Sequence, residues 1–502
     1  MIERRNSELA PPHANVWFRH PMRVLFAVFL LYAIGFLLFF PIALTNYDEV
    51  CYVRQAVVFA SGHSTVSVLD PLTGLRNQIF PSNYPPGTSA LMVPFVWLWG
   101  WRGTFAFGLM ALGACIFFTA RWIAESGRSP LFALVILGYL PSLAMVRTAM
   151  SDVPSACLVA AGMWLFWPAD DHSGWRRFFA GLIAGLSLCL REPNPLLFIF
   201  FFAGAVLRRE RHLLLLVFGG LLGSSSRFLA AFIVYGDPLF TKLHDYGFTG
   251  LFLKENLLIY LTALLILVPG GLLAALTYRG RRRPELISTV VFFTGLFTFY
   301  NYNASSSGGL KQWILSMRFM IPLVPILAFA MADTLPRWYD ALTLSMTFES
   351  KMKLQSTVRQ FVKVSLVALI VLGFVVNWRS AAWSNPHHDV IRELYRHTDP
   401  RTPVLADIQA TVKFLNELYG PRIVGELNGM DTAKIRSLVE RYRVVQIVFF
   451  DRDDSDYWKM RAAQNQALIH HLAAQCNPAL AFEGRFPSLG VLRIWNITPS
   501  PQ

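Results

Sequence analysis

The residues best able to do chemistry in this sequence are a few charged side chains set against long apolar runs. The first pair is Asp48 and Glu49 in TNYDEVCYVRQAVVFASG, directly after an apolar segment. A carboxylate beside lipid is costly and is usually kept for a function. The same stretch also suits a helix start, with Asn46 or Asp48 accepting N–H bonds from the first turn. The two roles are compatible, because a capped helix fixes its carboxylate. A third acid, Asp152, stands in RTAMSDVPSACLVAAGMWLF, two residues before Pro154. There too Ser151 or Asp152 can open a helix. Arg318, in SSSGGLKQWILSMRFMIPLVPILAFAMA, lies about a turn inside an apolar run. A guanidinium at that depth needs an anionic partner or must snorkel to the headgroups. A polyprenyl phosphate would suit it, since the guanidinium fork matches phosphate oxygens bidentately. Tyr84 precedes two prolines and a glycine in SNYPPGTS, which reads as a rigid turn. His244 and Asp245 in TKLHDYGF could add a divalent ion, although a lone histidine more often ligates nothing. Arg227 in LLGSSSRFLA lies deep in an apolar run, to reach a substrate cavity or to bond its serine neighbours.

Those side chains must be positioned by membrane spans. The chain has 502 residues, 54% hydrophobic and only 15% charged, whereas a soluble domain carries roughly 25% charged residues. A span needs about 20 mostly apolar residues. The run at 24–44 is too long for a signal-peptide core, and no small-residue cleavage site follows it. Further candidates lie at 103–121, 130–148, 153–168, 178–190, 194–207, 212–235, 256–278, 286–302, 313–333 and 361–378. The expectation is a polytopic α-helical membrane protein of about 11 spans. The runs 178–190 and 194–207 flank LREPNP, which is either a tight outer turn or the kink of one helix.

With the N-terminus inside, every inner segment is basic: Arg4 and Arg19, Arg121 and Arg128, Arg176 and Arg177, Arg208 and Arg209, Arg281 and Arg282, Arg337 and Lys351 among them. The outer segments are poorer in Lys and Arg, as orientation by basic loops requires. An odd number of spans then places the C-terminus outside. The net charge of +14 follows from this bias and from contact with anionic membrane lipids. It is no footprint of nucleic acid, and no nucleic-acid partner is expected. Within the first outer loop, 45–87, the turn at Tyr84 leads into an apolar stretch too short to span. That stretch carries Trp97, Trp99 and Trp101 and reads as an interfacial or re-entrant helix.

After about residue 379 the pattern changes to short β-like runs alternating with helical ones, closing on LAFEGRFPSLGVLRIWNI as a hairpin. The expected division is a membrane module over 1–378 and an extracytoplasmic α/β domain over 379–502. Five cysteines exclude a disulfide scaffold. Cys51 and Cys476 both fall outside, and nothing in their spacing pairs them.

Four motifs in order, NYDE after the first span, YPPG closing the first loop, SDVPS at a later outer turn and RFMIPLVP opening a late span, resemble the GT-C glycosyltransferases. The closest resemblance is to the branch of protein O-mannosyltransferases and bacterial aminoarabinose transferases. FASG and YGDPLF fit the same pattern, and the resemblance covers roughly 20–335. One departure stands out. The family's acidic pair is often followed within a few residues by a basic side chain aimed at the donor phosphate; here Cys51 and Tyr52 follow, and the nearest basic residue is Arg54.

The resemblance implies an inverting transfer of a sugar from a polyprenyl-phosphate donor to an envelope glycan, lipid or protein acceptor on the outer face. No GxxxxGK[ST] or strand-borne GxGxxG is present for a nucleotide donor. Such a transfer needs a base for the acceptor hydroxyl and cations for the departing phosphate. Asp48 fits the base, and Glu49 and Asp152 fit orienting roles for the acceptor or a metal. Arg318 fits the phosphate, with Lys311, Lys242 or Arg191 assisting and Tyr84 at the substrate. A divalent cation is an option as cofactor, with His244 a candidate ligand. A lipid-linked glycan flippase is the rival reading, but no duplicated halves are visible and the charges proposed for the chemistry lie at the outer mouth. The expected location is a bacterial inner membrane.

Overall fold

The computed structural model describes residues 20–167, 173–240, 247–302, 309–428, 430–452, 455–487 and 489–500. The side chains of 309–312 are not described, and Lys242 and His244 lie outside the described residues. In chain order the first helices are α1 (Pro21–Leu38), α2 (Tyr47–Ala60), α3 (Gly87–Trp99) and α4 (Gly103–Glu125). Next come α5 (Val135–Gly138), α6 (Leu140–Met145), α7 (Asp152–Phe166), α8 (Gly174–Leu186), α9 (Leu196–Leu207) and α10 (Leu213–Tyr235). Then follow α11 (Leu253–Leu267), α12 (Gly271–Leu276), α13 (Arg283–Phe299), α14 (Gly309–Met317), α15 (Val324–Thr343) and α16 (Phe348–His397).

Five described helical stretches are long and apolar enough to cross a membrane: Pro21–Leu38, Gly87–Glu125, Leu213–Tyr235, Trp313–Thr343 and Phe348–His397. Other apolar runs are met by shorter or broken helices. The run 130–148 breaks at Tyr139, which is extended just before Pro141 opens α6; a proline has no N–H to continue the helix and disfavours it just upstream. The run 256–278 breaks at Gly270, whose φ of 77° admits glycine at no steric cost. The run 313–333 passes through a 3₁₀ turn, Arg318–Leu323, that contains Pro322. LREPNP is a turn between α8 and α9, closed by Asn194, whose backbone N–H donates to the Arg191 carbonyl (3.1 Å) and whose side-chain amide donates to the Ser187 carbonyl (3.0 Å).

The chain divides into two compact units. The first comprises 1–40, 84–88 and 105–379. Glycines set its tightest packing: a Cβ on Gly181 or Gly185 of α8 would fall on the backbone of α10, and one on Gly219 or Gly223 of α10 on that of α8. Small residues four apart allow this approach without a hydrophobic force between helices. The stretch of α16 in this unit leaves Phe361, Val364, Val367 and Val371 exposed, as a surface that meets lipid rather than water would.

The second unit comprises 41–83, 89–104 and 380–502. It holds α2, most of α3 and a hairpin, β1 (Val66–Leu69) with β2 (Arg76–Ile79). It also holds β3 (Val404–Ala406), α17 (Ile408–Thr411), α18 (Asn416–Tyr419), β4 (Val424–Glu426), α19 (Thr432–Tyr442), β5 (Val445–Asp451), α20 (Asp456–Ala473), β6 (Cys476–Phe486) and β7 (Gly490–Pro499). The five strands order as β4-β3-β5-β7-β6, with β3 parallel to β4 and β5 and the rest antiparallel. Every residue of β5 is buried, as a strand covered on both faces must be. Ile435, Leu438, Ile469 and Leu472 of α19 and α20 cover one face. Val390 and Leu394, on the last turns of α16, cover the other. The helix of 361–378 therefore runs on without a break past residue 379. At the sheet's parallel strand ends Asn465 donates to both Asp407 (3.3 Å) and Asp451 (2.8 Å), and burial raises the Asp407 carboxyl above its usual range.

Candidate active site

Within the second unit, helix α2 opens on Asn46, whose side chain accepts from the Glu49 backbone N–H at 2.9 Å. The cap is therefore Asn46 and not Asp48. Glu49 is 1% exposed, and its Oε2 accepts from the Thr45 backbone N–H (2.8 Å) and hydroxyl (3.4 Å). The buried glutamate thereby ties down the chain that enters the helix. Asp48 stands beside it in the first turn, half-buried. Arg54, further along α2, donates through Nε and Nη2 to the two oxygens of Glu417, at 2.8 and 2.6 Å.

Within the first unit, α7 starts at Asp152, which is 2% exposed. Ser151 makes no side-chain capping bond, and the Asp152 carboxylate instead accepts from Arg191 at 2.6 Å. Arg191 reaches α7 from the turn between α8 and α9. Its guanidinium lies 5.3 Å from the Phe319 ring centroid, and that of Arg318 lies 5.2 Å from the same ring. Arg318 also donates to the Met150 sulfur at 3.4 Å. Phe319 is seated among Phe297 (5.0 Å), Tyr302 (5.7 Å) and Tyr300 (5.9 Å). Two guanidiniums thus share one aromatic ring, with one of them paired to a carboxylate.

Tyr260 on α11 belongs to this cluster and carries no motif in the sequence. Its ring is fully buried, and its hydroxyl has no hydrogen-bond partner among the described residues. Tyr302, Tyr300, Arg318 and Arg191 all act on it electrostatically. An orphaned buried hydroxyl costs about 1–3 kcal/mol, so a ligand oxygen is its natural complement. The only signal available beforehand was a lone tyrosine inside an apolar helix.

Other expected residues take different places. Tyr84 offers its carbonyl to the Tyr235 hydroxyl at 2.5 Å, and a Cβ on Gly87 would lie 2.6 Å from the Cys189 carbonyl oxygen. The turn is therefore held by its backbone. Arg227 pairs with Glu192 at 2.8 Å and donates to the Phe240 carbonyl. Glu192, which the sequence did not single out, is its counter-charge. Lys311 lies on α14. No group of three or more His, Cys, Asp or Glu that could hold a metal occurs among the described residues. None of the five cysteines is in a disulfide.

No known family profile matches this sequence, and no curated protein matches it. The fold does match solved structures. ArnT from Cupriavidus metallidurans in the apo state aligns with a TM-score of 0.62 at 15% identity, over 95% of this chain and 99% of that one. ArnT from the same organism bound to undecaprenyl phosphate aligns with a TM-score of 0.61 at 14% identity, over 97% and 100%. Identities of this size speak to fold alone. The fold is the one that the GT-C resemblance implied, and the chain is an integral, multi-pass membrane protein.

Proposed function

We propose that this protein is a membrane glycosyltransferase that moves a sugar from a polyprenyl-phosphate donor to a hydroxyl acceptor, with inversion. The observation that carries the reading is the cluster of Arg191, Arg318 and the orphaned Tyr260 hydroxyl around Phe319. It gathers phosphate-type donors in a chain whose fold is shared with a protein solved bound to undecaprenyl phosphate.

In this reading Asp48 takes the proton of the acceptor hydroxyl as its oxygen attacks the anomeric carbon. The bond from that carbon to the phosphate oxygen breaks, and the lipid phosphate leaves with the electron pair. Arg318 and Arg191 stabilise the charge that develops on it, in a site where water does not compete. Asp152 acts through Arg191, fixing the fork, and Glu49 acts through the backbone, fixing the start of α2. Lys242 and Lys311 remain candidates to assist at the phosphate. The acceptor is a glycan, lipid or protein hydroxyl of the envelope, and the reaction takes place on the outer face of a bacterial inner membrane.

The test is transfer of radiolabelled sugar from a polyprenyl-phosphate donor in membranes containing the protein. Transfer that needs the protein supports the reading. Movement of labelled lipid between leaflets without transfer would favour a flippase instead. The same reading requires the N-terminus inside and the C-terminus outside, as the basic inner segments suggest. A reporter active only in the cytoplasm and fused after Gln502 is expected to be silent. Activity there would place Asp48 on the wrong side of the membrane.

A further inference from the structure

The C-terminal segment has no role in the chemistry above, yet it holds the partner of Arg54. We propose that Glu417 is a positioning residue for α2: through Arg54 it fixes the helix that carries Asp48. The inference rests on the reading of Asp48 as the base.

The geometry is that of a fork. Arg54 meets both oxygens of Glu417 at 2.8 and 2.6 Å, and the side chains are 24% and 7% exposed. A paired, planar contact of this kind fixes orientation as well as distance. Asp48 and Arg54 are six residues apart on one helix of 14 residues, so any tilt of α2 at Arg54 also moves Asp48. The start of α2 is held by Asn46, Glu49 and Thr45, and its middle and end by the Ser89 hydroxyl on the Tyr52 carbonyl (3.0 Å) and the Trp97 indole on the Ala60 carbonyl (2.9 Å). The Arg54–Glu417 fork is the ionic member of this set.

Glu417 is itself on a firm base. The neighbouring Asn416 accepts from the Tyr395 hydroxyl (3.2 Å) and donates to the Arg422 carbonyl (2.9 Å). Arg422 in turn donates to the Tyr395 carbonyl (2.9 Å) and the Thr398 hydroxyl (3.2 Å). The ring of Tyr419 lies 5.4 Å from Tyr395 and 5.7 Å from Trp101. A second anchor joins the same segments: Pro71, at the hairpin turn, accepts from the Tyr442 hydroxyl at 3.3 Å and lies where a Cβ on Gly425 would meet it, at 2.7 Å. The sheet segment is thereby given a task, which is to hold the first loop. Arg54, although it is the first basic residue after the acidic pair, is engaged there and not at a donor phosphate.

The experiment uses the full chain in liposomes, with Glu417→Gln, Glu417→Ala, Arg54→Glu and the reversed pair Arg54→Glu/Glu417→Arg. The expected result is a fall in kcat of about 10-fold to 100-fold in the three single variants, from a small misplacement of Asp48, with the donor KM little changed. The reversed pair is expected to recover most of that loss. Hydrogen exchange of 47–60, read on the same samples, is expected to quicken in the single variants and slow again in the pair. Wild-type turnover and exchange in Glu417→Gln and Glu417→Ala would overturn the proposal. So would a raised donor KM in Arg54→Glu that the reversed pair does not correct, since Arg54 would then touch the donor. If the wild type transfers no sugar, the reading of Asp48 fails, while exchange in α2 still decides whether Glu417 fixes the helix.

Discussion

Helices α2 and α7 both begin on acidic residues, and they use them differently. In α7 the one acid, Asp152, is buried and spent on Arg191. In α2 the burden of structure falls on Asn46 as cap and on Glu49, which is turned back to Thr45. Asp48 is left half-buried in the first turn. The two starts look alike in sequence, each a short polar stretch ahead of an apolar helix. The difference is in what else is at hand. Where a guanidinium arrives from another turn, the carboxylate is paired within a cationic cluster. Where Asn46 and Glu49 serve the backbone at the helix start, the half-buried carboxylate between them is the one proposed above to take the acceptor's proton.

The largest expected effect tests the role proposed for Asp48. Asp48→Asn keeps size and removes the proton acceptor, so turnover should fall by about 10²–10⁴-fold while the protein still accumulates in the membrane. Near-normal turnover would make the two helix starts equivalent and remove Asp48 from catalysis. On the other helix, Asp152→Asn leaves Arg191 without its carboxylate in a buried place. Breaking such a pair costs about 3 kcal/mol or more, so the variant should lose thermal stability in detergent as well as activity. An unchanged Tm would mean that Asp152 is not spent on structure.

Arg318 sharpens the comparison further. Both Arg318→Ala and Arg318→Lys should impair transfer, the lysine variant by about 10-fold, because it keeps the charge and loses the fork. Full activity with lysine would show a side chain that only snorkels. The smallest effect belongs to Glu49→Gln, which keeps an acceptor for Thr45 and loses a charge at the helix start. It should cost about 1 kcal/mol of stability with kcat nearly intact. A loss of turnover as large as that of Asp48→Asn would instead give Glu49 a share in the chemistry.

How much of this was legible beforehand follows from the range of each interaction. Apolar runs report membrane helices because the bilayer imposes length and composition locally, and α1, α4, α10 and the core of α16 lie where the runs lie. Proline and glycine mark breaks, yet the continuity of α16 from Phe348 to His397 was hidden. Its apolar run ends near Trp378, and the later turns are amphipathic, covering a sheet rather than facing lipid. The four motifs that carry the fold are also short and local.

Pairing is another matter. The sequence by itself determined the apolar helices, the acid at each helix start, the rigid turn at Tyr84 and an arginine inside a late apolar run. Only the tertiary structure decided that Asp152 is paired with Arg191, 39 residues away in the chain, that Arg227 answers Glu192, that the Tyr260 hydroxyl has no hydrogen-bond partner among the described residues, and that Arg54 is taken by Glu417, 363 residues on. A charge's chain neighbours set whether it can exist where it stands. Its function depends on which opposite charge the fold brings within hydrogen-bonding distance, and that partner can lie anywhere along the chain.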